Sequence, residues 1–185
     1  MWSYDKRLQF PVKIKNPDPQ TAKIVITQLG GPDGELGASM RYLNQRYAMP
    51  YKECKAILTD IGTEELAHME MISAIVYQLT RNLTPEQIRE GGFEAYFVDH
   101  TTGIYPQFAS GTPWSAMTFQ SKGDPITDLF EDMAADAALL QKQPLGLNRL
   151  DERKRGESKA AKKTMRGAGI DRAEKLAIIG DRTIE

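Results

Sequence analysis

The chain has 185 residues, 41% hydrophobic and 26% charged, with a formal net charge of −1. That composition fits one globular domain large enough to bury a core, and it argues against nucleic acid or an anionic membrane as a partner drawn by charge. The single cysteine, Cys54, excludes an intramolecular disulfide and suits a reducing compartment. No apolar run approaches roughly 18 residues and Met1–Pro19 carries no secretion signal, so a soluble cytoplasmic protein is expected.

Helix-start signals set the order of elements. Asp18-Pro19 places a capping oxygen before a proline at the first helical position, and a helix is predicted over 19–47. Within it, Gly30-Gly31-Pro32-Asp33-Gly34 is a local conflict, because proline removes a donor and each glycine costs about 1 kcal/mol relative to alanine. Taken locally, a new helix would start there with Asp33 as cap and Glu35 in its first turn. We expect instead a continuous helix with a kink or bulge. Pro50 opens a second helix over 51–80. Thr84-Pro85, with Gln87 completing a capping box, opens a short one over 85–91. Residues 92–123 form an irregular stretch rich in glycine, proline, threonine and aromatics, long enough to be a crossover or a packed functional loop. Asp124-Pro125 opens a helix over 125–142.

The second helix carries the chemistry. Leu58, Ile61, Glu65, His68, Ile72, Ile75 and Leu79 follow spacings of 3, 4, 3, 4, 3 and 4, which is one buried seam of a bundle helix. Two central members are ionisable, and an unpaired carboxylate there would cost several kcal/mol or take up a proton. Glu65 and His68 stand at i, i+3 on one face, so both can bind one ion. A plain Glu–His hydrogen bond at a helix crossing is the simpler reading of such a pair. Two further features favour a metal site. Glu35 lies beside small or polar positions at Ala38 and Tyr42, and the helix after Pro125 repeats the seam as Ile126, Leu129, Met133, Asp136 and Leu140, again with a central carboxylate. Carboxylate and imidazole ligands projecting inward from several helices are the ferritin-like di-iron or di-manganese layout. That layout needs a second Glu-x-x-His, and the only other histidine is His100. Glu35, Glu65 and His68 supply one half of the ligand set, with Asp136 as a shorter version of one missing glutamate.

These residues bear a resemblance to a family. Gly30–Glu35, the run Arg41-Tyr42-Leu43-Asn44-Gln45-Arg46-Tyr47, and Asp60-Ile61-Gly62-Thr63-Glu64-Glu65-Leu66-Ala67-His68-Met69-Glu70 resemble manganese catalases. The opening Met1–Lys6 and the run Tyr96–His100 resemble in particular the spore-coat branch, the CotJC proteins. The similarity runs from Met1 to about Asp136. It implies an all-α, ferritin-like four-helix bundle with a long crossover, and a first helix continuous through the glycine-rich run. By resemblance, Glu35 binds one manganese, Glu65 bridges or binds terminally, His68 completes that half, and Tyr42 hydrogen-bonds and orients the carboxylates. The implied activity is dismutation of hydrogen peroxide at two bridged manganese ions in a homo-oligomer, typically a hexamer.

The departure begins at Asp136, where the family has a ligand glutamate. Losing one methylene withdraws the oxygen by about 1.5 Å. The family's last helix, with its second Glu-x-x-His whose glutamate moves protons, has no counterpart here, so the fourth helix is compromised. From Gln141 to Glu185 there are 12 Lys+Arg against 7 Asp+Glu, no aromatic residue and no histidine. We therefore divide the chain into an incomplete catalase domain over 1–140 and a basic, weakly structured tail over 141–185, and read the break as a reading-frame shift near codon 136 or an equivalent replacement. His100 reads as a loop hydrogen bond or surface position rather than a ligand. Cys54 lacks an activating base, and the aromatic-free tail is no nucleic-acid binder. Trp2, Tyr4 and the aromatics of 96–119 read as packing for the crossover and subunit contacts. Two function classes stay open: peroxide dismutation at dinuclear manganese, or a structural component that associates with other spore-coat proteins. Iron chemistry on the same ligands is a weaker third, because such ligands do not choose sharply between iron and manganese. The expected location is the spore coat or the cytoplasm.

Overall fold

The computed structural model describes the backbone of residues 7–100, 103–118 and 121–142, and the side chains of 7–97, 103–117 and 121–135. Its order is α1 (Pro19–Gly30), α2 (Glu35–Ala48), α3 (Lys52–Thr80), α4 (Pro85–Glu90), α5 (Glu94–His100), a 3-10 turn at Ala116–Thr118, and α6 (Pro125–Lys142). Among the described residues there is no strand beyond an isolated bridge between Gln107 and Pro113. No helix among them is long and apolar enough to cross a membrane.

The starts behave as their sequences dictate. Asp18 accepts hydrogen bonds from the amides of Gln20 and Thr21, and Thr84 with Gln87 forms the full capping box. The first helix, however, is not continuous. Proline 32 cannot donate the amide a running helix needs, so α1 ends at Gly30, the chain makes a turn over 31–34, and α2 restarts with Gly34, not Asp33, as its cap. The segment 92–123 is also less irregular than expected. It contains α5, whose Tyr96 stacks on Phe93 just before the helix at 5.0 Å, with Phe97 edge-on to both at 5.3 Å. The Tyr96 hydroxyl donates to the Gly103 carbonyl and accepts from the Tyr105 amide, which ties the crossover to α5. The packing role expected for the crossover aromatics holds for Tyr96, whereas Tyr105 is exposed; Trp2 and Tyr4 lie outside the described residues.

Two apolar clusters hold the helices together. In the larger, Ala22, Val25, Ile26 and Leu29 of α1 meet Ile72, Ile75, Val76 and Leu79 of α3, with Phe93, Tyr96 and Ala109 closing one side. The Asp18 amide donates to the Leu79 carbonyl, so the start of α1 meets the end of α3 and the two run antiparallel. The smaller cluster joins Ala38, Tyr42, Met49, Cys54 and Leu58, with Ile61 and Leu129 packed against it. Where α2 crosses α3, Ser39 Oγ donates to the Gly62 carbonyl at 2.7 Å. A β-carbon on Gly62 would meet Leu43 Cγ at 2.9 Å and Tyr42 Cβ at 3.1 Å. Only glycine permits this approach.

At the other end of the α1 seam the crossover loop presses on Gly30, whose added β-carbon would collide with the Pro106–Gln107 peptide. Helix propensity alone makes Gly30→Ala stabilising by about 1 kcal/mol, whereas overpacking against backbone costs typically 1–3 kcal/mol. Crowding wins, and urea denaturation of Gly30→Ala is expected to show a lower midpoint than the parent. A second prediction concerns Asp18. The Thr21 hydroxyl first, then the Thr21 amide, hold its carboxyl below the ordinary value of 3.8. A carboxylate with a lowered folded pKa stabilises above its unfolded value and loses that contribution as pH falls through the folded one. Asp18→Ala is therefore expected to cost about 1 kcal/mol at pH 7, with the difference from the parent closing below pH about 4 in pH-dependent urea melts.

Candidate metal centre

Glu35 is the first residue of α2, delivered by the turn at 31–34, and it faces Glu65 and His68 at the middle of α3. All three are buried, at 4%, 3% and 3% exposure. The expected seam on α3 is present: Leu58, Glu65, His68, Ile72, Ile75 and Leu79 are buried and Ile61 is partly so. Apolar neighbours on both sides of the pair, along one helix, leave it little contact with water.

His68 Nδ1 lies 2.6 Å from Glu65 Oε2 and 3.9 Å from Glu35 Oε2. One ligand atom from each of the three falls within 4.8 Å of the others, the arrangement needed to hold a metal ion. With metal–ligand bonds of about 2.0–2.2 Å, donors around one ion stand up to roughly 4.4 Å apart, so small side-chain rotations close this set on an ion. The 2.6 Å contact is a hydrogen bond, with a proton on the line between imidazole and carboxylate. An ion entering the triad would take that proton's place, which makes binding favour the deprotonated set. Two carboxylates and one imidazole suit manganese or iron and supply three ligands.

Tyr42, expected to orient the carboxylates, is buried in the smaller cluster about two turns along the same face of α2 from Glu35 and packs against Gly62. Asp136 lies within α6, and its side chain is outside the described residues, as is that of His100. The tail beyond 142 is outside them too. On α6 the predicted seam is rotated. Asp128, Asp132 and Ala135 are the buried positions, while Ile126, Leu129 and Met133 are only partly covered. Asp128 and Asp132 fall outside the predicted seam. Asp128 accepts from the amides of Lys122 and Gly123, capping the end of the crossover, and Asp132 Oδ1 accepts from Gln45 Nε2 at 2.9 Å, joining α6 to α2. An acidic residue at the fourth helical position after Asp124-Pro125 was the available signal for the first. Nothing local signals the second, because its partner is 87 residues away.

Comparison with known proteins bears on this geometry. The family described as manganese containing catalase matches residues 1–145. Protein CotJC of Bacillus subtilis is 53% identical over 136 residues, covering 74% of this chain and 71% of that protein. A probable manganese catalase of Clostridium acetobutylicum is 33% identical over 139 residues, covering 74% of this chain and 61% of that protein. Among solved structures, the manganese catalase KatB from Anabaena superposes with a TM-score of 0.80 at 25% identity, covering 91% of this chain and 81% of that one. The chain thus spans less than two thirds of the Clostridium catalase. The fold is the all-α, ferritin-like bundle of these neighbours.

His68 sits between two buried carboxylates, so its loss leaves them facing each other. In metal-free protein His68→Leu is expected to cost about 3–5 kcal/mol, the scale of breaking a buried ion pair, against about 1 kcal/mol for Ile72→Val one turn away. Chemical denaturation of both variants checks the contrast.

Proposed function

The chain belongs to the manganese catalase family, and from that premise we propose that it dismutes hydrogen peroxide at a dinuclear manganese carboxylate site. The observation that carries the proposal is the convergence of Glu35, Glu65 and His68 in an apolar interior. Glu35, Glu65 and His68 would hold one manganese, and Asp136 would contribute to the other. Manganese, when bound, supplies the electron exchange by which two peroxide molecules become two waters and one oxygen.

The chain's own residues do the rest. The apolar seam excludes bulk water, which strengthens every charge interaction inside. Glu65 fixes the imidazole of His68 through Nδ1, so the ring is oriented before an ion arrives. Tyr42, close-packed against Gly62, is the hydroxyl we assign to orienting a carboxylate ligand. Association into a homo-oligomer, with residues 1–140 as the catalase-like domain and a distinct basic tail over 141–185, belongs to the same proposal.

A second reading has its own support. The 53% identity to CotJC exceeds the 33% to the Clostridium catalase, and Asp136 is one methylene shorter than the family's ligand. A structural role in the spore coat, with a weakened metal site, follows from that pattern. Manganese analysis with an oxygen electrode separates the two. About two manganese per chain with oxygen release from peroxide is the catalase outcome; less than one metal per chain with no oxygen is the structural one. Asp136→Glu restores the longer reach, and it is expected to raise manganese retained after dialysis and oxygen release severalfold. An unchanged metal content in that variant overturns the assignment of Asp136 as a ligand.

A further inference from the structure

One layer away from the metal centre, α2 is held to α3 by a buried polar contact. Ser39 is 0% exposed, and its hydroxyl donates to the Gly62 carbonyl at 2.7 Å. Ser39 stands one helical turn beyond Glu35 on α2, and Gly62 stands one turn before Glu65 on α3. Each therefore shares a helical face with its neighbouring ligand. Residues 49–51 join the two helices as a hairpin, so α2 and α3 run antiparallel. Glu35 with Glu65 and Ser39 with Gly62 are then successive layers of one seam. Tyr42 and Leu58, which share the smaller apolar cluster, follow as the next.

Two features set the spacing of the helices at the Ser39 layer. The hydroxyl draws α2 toward the α3 backbone, and the bare α-carbon of Gly62 lets it come. A β-carbon on Gly62 would sit 2.9 Å from Leu43 Cγ and 3.1 Å from Tyr42 Cβ. Carbon atoms rest at about 3.5–4.0 Å, so a side chain there would push α2 outward by up to roughly 1 Å. The hydrogen bond adds what packing alone does not. It is directed at one carbonyl, so it fixes where α2 sits along α3 as well as how close it lies.

The metal centre has little tolerance for a shift of that size. Its three ligand atoms lie within 4.8 Å of one another, against about 4.4 Å for donors around one ion. A binding constellation has to be held to about 0.5 Å to work. We propose, resting on the metal reading of the triad, that Ser39 is a positioning residue for this centre. By holding α2 on the Gly62 carbonyl it keeps Glu35 and Glu65 at a separation one ion can span, and so sets the affinity of the triad for a divalent cation.

The experiment titrates metal-free full-length protein with manganese(II), reading the free ion by its electron paramagnetic resonance signal. Ser39→Ala is expected to raise the dissociation constant about 10–100-fold over the parent, the usual effect of losing a group that orients a metal ligand. Gly62→Ala, which pushes the helices apart rather than releasing the pull, is expected to raise it as well and gives the readout where Ser39→Ala does not fold. Val25→Ala, in the core between α1 and α3, is expected to lower the urea midpoint and leave the constant unchanged. Affinity that falls with stability in Val25→Ala too overturns the positioning role in favour of general loosening. Manganese held as tightly by Ser39→Ala as by the parent overturns it and leaves the metal reading standing. A parent that binds no manganese overturns both.

Discussion

Glu35 and Glu65 are buried among aliphatic side chains within reach of one imidazole, and carboxylates in such surroundings persist only if something neutralises them. The helix pair is arranged around that requirement. Ser39 and Gly62 bring α2 and α3 closer than side chains with a β-carbon would allow, and the approach sets Glu35 opposite the middle of α3. The turn at 31–34 then fixes where along α3 the carboxylate arrives. Had α1 run on unbroken, Glu35 would be an interior helical residue; as built, it opens α2. The site depends on a helix start as much as on a helix face.

The crossover supports the same end of the molecule from outside. Tyr96 anchors its first part through Gly103 and Tyr105, and the Trp114 amide donates to the Pro106 carbonyl. Asp128 secures its exit through Lys122 and Gly123. The Pro106–Gln107 peptide between these ties lies against Gly30, five residues before Glu35. Long loops that pack this tightly are held by their own buried contacts rather than by neighbouring helices alone. The loop and the metal centre thus meet through one glycine.

How much of this was readable beforehand depends on the range of the interaction. The α3 seam, the proline-led helix starts and the Glu65–His68 pair follow from periods and caps a few residues long, and each is present in the fold. The glycine-rich run also had a local answer, a break, which the expectation of a continuous kinked helix, supported by the resemblance, set aside; the local rule prevailed because Pro32 has no amide to give. The aspartates of α6 went the other way. Asp128 and Asp132 look solvated in sequence because their burial is justified only by partners that the chain brings from the crossover and from α2. The burial of Gln28, Arg41 and Gln107 was likewise invisible, since glutamine and arginine carry no burial signal.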